Sequence, residues 1–487
     1  MVGRWAPGGS GRTAILAGLA ILLAAGGACA AQPAAPPSGP IALPPPPAPP
    51  PLPPRPLTQV DGEAIWRAIQ AAPEFPAPAN LDGAVAAMES PNPRVRSAAG
   101  AALARAAMVL AQEEHGLPSN PAAVDPDWAL RGAYDANADF AQARQEGRIP
   151  AWAAALPRHN PAYLSLVAAQ SRYGDIAAHG GWPSLPAGLS LRPGAKNREV
   201  PNLRQRLAIE GYGQASPSIV YDHALAAEVS EFQARHGLKE TGIVDAKTLA
   251  ALDMPAEARL ASINANLQRE RWLPDSLPPD RIIADVAGAE VTLYQDDQPT
   301  LTMRSVVGEP TKPTPLFVSY VQSIEFNPPW HVPADIAKKE LLPKGPAYLA
   351  KHAFSMINGQ LVQAAGPQSS LGRIKFDMPD SFAVYLHDTD SRNLFAVDSR
   401  GRSHGCVRLQ KPNDLAVALL SDQGWTLEKV NDAIDAGDTH WVRPTSHTPV
   451  YLVYRTAEAP DDGPAIFRPD LYGWDDRLNA ALAAAPR

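Results

Sequence analysis

The chain of 487 residues has only two cysteines, Cys29 and Cys406, and a count that low excludes a disulfide-stapled scaffold. Basic charge is short as well: 43 lysines and arginines stand against 50 acidic residues, for a formal net charge of -7. With no basic stripe interleaved with aromatics, a phosphate backbone finds no complementary surface, and nucleic acid is not an expected partner. Metal-ligand spacing is missing too. No His-Glu-x-x-His and no paired-cysteine motif occurs, so neither a metal nor any other cofactor is implied. Proline is the opposite case: 53 of them are present, concentrated in one segment.

That segment follows an amino terminus with Arg4 and Arg12, an apolar run from about Ala14 to Ala25 and small residues through Ala31. This is the layout of a secretory signal, so residues 1–31 are read as a signal peptide or membrane anchor. Ala28-Cys29-Ala30 fits a small-x-small cleavage site, whereas Gly26 tells against lipid attachment at Cys29. The run Thr13–Ala31 is nearly long enough to span a bilayer, so a removed signal and an inner-membrane tether both stay open, and both place the body outside the cytoplasm. Residues 32–58 are the proline tract, a disordered linker favouring extended polyproline II. At roughly 3.1 Å per residue it reaches on the order of 80 Å if the anchor is kept, and is a stub if the signal is removed.

The exported body then contains Cys406 as its sole thiol. In an oxidising compartment a solitary cysteine risks mispairing, which directs attention to its neighbours; on count alone a small buried core residue explains it equally well.

Periodicity divides the body into parts of a multi-domain α+β chain. Residues 59–191 read as helical, with an Ala-rich helix over Val95–Glu114 ending at Gly116 and no chemical motif, which makes a scaffold role the default. Residues 192–255 give a compact three-helix pattern: Leu203 and Leu207, then Leu225, Val229 and Phe232, then Leu249 and Leu252, with Asp222 and Asp245 as N-caps and Gly237 as a stop. A connecting helix occupies 256–279. From 280 to 455 the period becomes alternating, with strands expected around Ile282–Val286, Val291–Leu293, Val318–Phe326 and Phe382–His387 and two helices near Asn413–Leu420 and Thr426–Ala436. A helical, Pro- and Gly-punctuated insertion at about 335–373 reads as a lid, and 456–487 as a C-terminal extension.

The chemistry concentrates in Ser403-His404-Gly405-Cys406-Val407-Arg408-Leu409. Alternation sends Val407 and Leu409 to the core and puts Cys406 and Arg408 together on the other face. A guanidinium beside a thiol favours thiolate, the attacking species. Gly405 lets a carbonyl approach the backbone, and the amides of Gly405 and Cys406 are candidates for an oxyanion site. A nucleophile needs a base. Of the 11 histidines, His387 ends an alternating strand with Tyr385 on its own face, while His404 is too near Cys406 in sequence and is expected to shape the loop with Ser403.

These residues resemble the L,D-transpeptidases with a YkuD-type catalytic domain, whose pattern is a histidine followed, after a loop, by Ser/Thr-His-Gly-Cys, an apolar residue and Arg or Asn. Here His387 precedes Cys406 by 19 residues and Ser403–Arg408 fit the pattern throughout. Phe326-Asn327-Pro328-Pro329-Trp330, Leu371–Phe376 and Tyr385–Thr389 look like the large periplasmic subgroup, and Glu231–Leu238 with Thr241-Gly242, Val244-Asp245 and Thr248-Leu249 closely resembles a peptidoglycan-binding module. The resemblance implies acyl transfer in the periplasm. Cys406 attacks the bond between the L-centre of diaminopimelate and the terminal D-Ala of a tetrapeptide stem, His387 relays protons, and a diaminopimelate amine of a second stem completes a 3-3 cross-link. It further implies that the Asp388 backbone carbonyl orients His387, that Arg408 and Arg373 hold carboxylates, that Tyr385, Trp330 and Asn327 line the groove, that peptidoglycan stem peptides and glycan are the partners, and that a carbapenem adds to Cys406. For Trp330, Tyr385 and Arg373 a core or surface role competes. Two other functions compete: hydrolysis of the same bond by a carboxypeptidase or endopeptidase, and a non-catalytic wall-binding adaptor.

Overall fold

A computed structural model of the chain describes residues 55–75, 77–117, 119–130, 134–460 and 463–484. The signal or anchor at 1–31 and all but the last residues of the proline tract lie outside the described residues.

The helical region begins with a helix over Gln59–Gln70, opened by a reciprocal cap in which the Thr58 hydroxyl accepts from Asp61 N–H and the Asp61 carboxylate accepts from Thr58 N–H at 2.7 Å. The Ala-rich helix runs Pro93–Glu114, two residues earlier than apolar periodicity places it, because Asn92 caps it and Pro93 takes the first turn without losing a hydrogen bond. Its Leu103, Ala107, Leu110 and Ala111 are fully buried against Ile65, Ile69 and Trp152.

The next unit holds three helices, Val200–Glu210, His223–Arg235 and Ala246–Leu252, with Asp222 and Asp245 accepting N-cap hydrogen bonds from Leu225 and Thr248. Gln233 organises it. Its carboxamide, 1% exposed, donates to Thr241 Oγ1, the Ile243 carbonyl and Thr248 Oγ1, and accepts from the N–H groups of Thr241 and Gly242. Much of the short motif in this unit is therefore spent on tying its last loop to the middle helix, a use that maintains the fold.

After a helix at Ala256–Arg271 comes the sheet-rich part, with strands β1 (Arg281–Asp285), β2 (Glu290–Gln295), β3 (Gln298–Gly308), β4 (Val318–Tyr320), β5 (Ser323–Phe326), β6 (Trp330–His331), β7 (Phe354–Ile357), β8 (Gln360–Gln363), β9 (Ile374–Asp377), β10 (Leu386–His387), β11 (Gly401–Ser403), β12 (Val407–Leu409), β13 (His440–Val442) and β14 (Pro449–Val453). The large mixed sheet runs β13-β5-β9-β10-β12-β3-β2-β1-β14-β4, with β11 attached to β3. One face packs on helices Pro412–Leu419 and Leu427–Asp435 through Ile324, Phe376, Leu386, Val407 and Leu409, all fully buried. On the other face, Ile283, Val307, Tyr451 and Val453 are covered by Trp128, Trp272 and the carboxy-terminal Tyr472 and Trp474.

Three expectations change. The strand expected at Phe382–His387 is reduced to β10, because the Asp380 carboxylate accepts from the N–H groups of both Phe382 and Val384 and Ala383 takes a φ of 56°, which turns the chain before it can pair. Val318–Phe326 is two strands rather than one. The insertion is helical only in its first half, over Ala334–Lys351; its second half is the hairpin β7–β8, which pairs with β6. It has its own small core of Val332, Ile336, Ala337, Leu341, Phe354 and Leu361.

Candidate active site

Strand register builds the site. β10 pairs parallel with β12, matching Leu386 with Val407 and His387 with Arg408, and antiparallel with β9, matching His387 with Lys375; β9 in turn matches Lys375 with Glu325 of β5. Matched residues share a face, so Arg408, His387, Lys375 and Glu325 form one row opposite the core. Cys406 and Tyr385, two positions before Arg408 and His387, fall on that same face, and Val407 N–H donates to the Tyr385 carbonyl at 3.2 Å. The alternation in the sequence put Cys406 and Arg408 there, and the buried Val407 and Leu409 beneath them agree.

Cys406 is half-buried, with Sγ 3.8 Å from the Ala383 carbonyl oxygen and the Tyr385 hydroxyl near enough to act on it electrostatically. Burial pushes its thiol up; the Tyr385 N–H and hydroxyl and the Arg408 guanidinium act in the opposite direction without cancelling it. Arg408 does favour the thiolate, as its place beside the sulfur predicts, but removal of the sulfur from water is the larger effect. His387 is 3% exposed, and its imidazole is lowered to about 3, first by burial and then by Arg408. Its Nδ1 is buried with no hydrogen-bond partner among the described residues, while the Asp388 and Leu371 backbone favours the charged ring. The resting pair is a neutral thiol and a neutral imidazole.

Tyr385 bridges these groups. Its ring lies 5.5 Å from that of His387, and Lys375 Nζ sits 4.8 Å over it. Trp330, on β6, packs at 6.1 Å against Phe354 of the insertion, so it joins that insertion to the site. Arg408 is mostly buried and its one side-chain hydrogen bond among the described residues is a long contact of 3.5 Å to Thr389 Oγ1, which leaves the guanidinium able to accept an anionic group.

The loop before β12 is fixed by Ser403, whose hydroxyl accepts from Gly405 N–H at 3.2 Å and donates to the Cys406 carbonyl at 2.6 Å. Gly405 has a φ of 117°, a conformation that side chains rarely adopt. Its amide, expected in the oxyanion site, is spent on Ser403. His404 Nε2 meets both oxygens of Glu340 in the insertion, at 2.8 and 2.9 Å, and Glu340 also pairs with Lys312 at 2.7 Å.

Asn327 and Arg373 are not groove residues. Asn327 is 1% exposed; its amide donates to the carbonyls of Ala433, Ile434 and Asp438, and its oxygen accepts from Arg373 Nε at 2.8 Å. Arg373 also donates to the Ile434 carbonyl. The two anchor the strand ends to a helix. The Asp388 side chain has a similar part, accepting from Arg373 N–H at 2.9 Å and Arg392 at 2.8 Å, although burial raises its carboxyl. Sequence reasoning missed Glu340, Lys312 and Arg392, which are ordinary surface charges until the fold brings them to the loop.

Residues 279–439 match the YkuD family, described as the L,D-transpeptidase catalytic domain, and residues 196–252 match a family described as "Putative peptidoglycan binding domain". The chain therefore carries a YkuD-type catalytic domain. Ahead of it in sequence stands a segment similar to a peptidoglycan-binding domain, so the chain combines two modules of the kind found in cell-wall enzymes. A protein of Haemophilus influenzae named "Putative L,D-transpeptidase" is 34% identical over 240 residues, 44% of this chain and 48% of that protein, so the match spans about half the relative's length. Among solved structures, the ertapenem-acylated catalytic domain of an E. faecium L,D-transpeptidase is 17% identical, covering 36% of this chain and 98% of that one with a TM-score of 0.21. An L,D-transpeptidase fragment from Xylanimonas cellulosilytica is 17% identical, covering 55% of this chain and 100% of that one with a TM-score of 0.19.

Proposed function

We propose that this protein cross-links peptidoglycan by cysteine acyl transfer, with Cys406 as nucleophile and His387 as base. The observation that carries the reading is the β10–β12 register, which sets Cys406, Tyr385, His387 and Arg408 on one sheet face. As the Cys406 sulfur bonds to the carbonyl carbon of the donor, its proton passes to the His387 imidazole. The same proton then goes to the departing D-Ala nitrogen as the C–N bond breaks, leaving a thioester. A diaminopimelate amine of a second stem attacks the thioester, gives its proton to His387, and the thiol is restored. The neutral imidazole has a lone pair free to take the proton, although burial and Arg408 lower its basicity in the resting enzyme, and a neutral thiol is stable until substrate arrives. Arg408 holds a substrate carboxylate, and Trp330 and Tyr385 border the groove.

Peptidoglycan stems and glycan are the proposed partners, through the binding domain as well as the catalytic one. The protein works in the periplasm, exported by the segment 1–31, which is either removed or kept as an inner-membrane tether. Incubation with disaccharide-tetrapeptide tests the reading: a cross-linked dimer lighter than two donors by one D-Ala is the expected product in the mass spectrum. Tripeptide and free D-Ala without dimer would reassign the protein to hydrolysis, and wall binding without turnover would make it an adaptor.

A further inference from the structure

The peptide plane between Gly405 and Cys406 is gripped from one side by a buried hydroxyl that no sequence motif marks. Thr314 is 0% exposed; its Oγ1 donates to the Gly405 carbonyl at 2.8 Å and accepts from Gly308 N–H at 2.9 Å. Its backbone N–H donates to the Tyr472 hydroxyl at 3.2 Å, and that hydroxyl donates to the Gly308 carbonyl at 2.8 Å. Each hydroxyl thus donates once and accepts once, so the network is satisfied throughout and rigid. Its compactness depends on Gly308, where a Cβ would stand 2.3 Å from the Lys312 carbonyl oxygen and 2.6 Å from Thr314 N.

Three of the four polar groups of Gly405 and Cys406 are thereby accounted for. Ser403 takes the Gly405 N–H and the Cys406 carbonyl, and Thr314 takes the Gly405 carbonyl. The Cys406 N–H has no acceptor among the described residues. In a trans peptide the C=O and the following N–H point in opposite directions, so fixing the Gly405 oxygen on Thr314 turns the Cys406 N–H away from that buried side. We propose that Thr314, braced by Tyr472 of the carboxy-terminal extension, is a positioning residue that aims the Cys406 N–H at the oxygen of the acyl group under attack. This rests on Cys406 being the acyl carrier. Negative charge gathers on that oxygen as the C–S bond forms, and a donor already in place stabilises it without reorganisation.

The test compares two reactions of the same sulfur in the full chain. Acylation by ertapenem passes through an oxyanion; alkylation by iodoacetamide does not. Thr314→Val, which keeps the shape and loses the hydroxyl, should slow saturated acylation by about ten- to a hundredfold. The half-saturating ertapenem concentration and the alkylation rate should stay near wild type. Thr314→Ser should recover most of the loss. Tyr472→Phe, remote from the sulfur, should show the same selective slowing in weaker form and serves if the valine variant does not fold. Wild-type acylation in both Thr314→Val and Tyr472→Phe, equal slowing of the two reactions, or a serine variant as slow as the valine one would overturn the proposal. Wild-type protein that is alkylated but never acylated would remove the acyl-carrier reading, and this inference with it; normal wild-type acylation beside an unaffected valine variant removes this inference alone.

Discussion

Tyr385→Phe gives the sharpest reading of how the thiol is held before substrate arrives. The variant removes the hydroxyl, which favours the thiolate, and keeps the Tyr385 N–H, which acts on the sulfur in the same direction. A hydrogen bond to an ionised group contributes about 1.5–3 kcal/mol, and one pKa unit corresponds to about 1.4 kcal/mol. With the N–H still present the lower end applies, so the thiolate fraction should fall by about tenfold. An unperturbed thiol at about 8.5 is only a few per cent thiolate at pH 7, and burial takes Cys406 above its ordinary value, so the wild-type fraction is smaller still. Iodoacetamide alkylation followed by intact mass should therefore accelerate about tenfold per pH unit from pH 6 to 8 in the wild type. The phenylalanine variant should run about tenfold slower at each pH in that range. Because His387 stays neutral down to about pH 3, no separate wave should appear near 6.5. A wild-type rate that is flat between pH 5 and 8 would mean a resting thiolate–imidazolium pair and refute the neutral resting state, and an unchanged rate in the variant would mean that the hydroxyl does not act on the sulfur.

Cys406→Ala should abolish turnover and change unfolding free energy by less than about 1 kcal/mol, since a half-buried side chain leaves little cavity; a chemical denaturation curve and a product assay read both. Asn327→Ala, at a 1% exposed position, strips partners from three carbonyls and from Arg373, and should cost about 3 kcal/mol, seen as a lower denaturation midpoint at unchanged slope. A loss under about 0.5 kcal/mol would contradict the anchoring role. Glu340→Ala cuts the contacts of the insertion with His404 and Lys312. Because those partners are partly solvated the change is worth no more than about 1 kcal/mol, so alkylation of Cys406 and amide exchange over 334–351 should each quicken by up to about fivefold. Unchanged rates would show that these contacts do not restrain the insertion.

The parts of this architecture that were legible in the sequence are those set by local pattern. Asp222 and Asp245 announce their helices because an N-cap is a short-range interaction, and the alternation through Val407, Arg408 and Leu409 orients Cys406 because a strand has a period of two. The hairpin inside the insertion had a signal that was passed over: Asn358-Gly359, both at positive φ, is the pair a tight two-residue turn prefers. Other features have no local signature. Asp380 ends the expected strand at Phe382 through its side chain, which competes with pairing, and nothing in the alternation reveals that. Asn327 and Arg373 look like groove residues beside Trp330, and only long-range packing turns them into anchors for Ile434. Arg408 suggests a thiolate when read as a neighbour in sequence, yet the protonation of Cys406 is decided by burial that the whole sheet and insertion create.

The central claim is that Cys406 carries the acyl group, and the most direct measurement is peptide mapping after rapid acid quench of the full chain with disaccharide-tetrapeptide. The account predicts a thioester on the peptide containing Cys406, with a mass gain equal to the donor less D-Ala, which decays as acceptor stem is added. Turnover at the wild-type rate with no adduct on that peptide, or with an adduct on a different side chain, would contradict it.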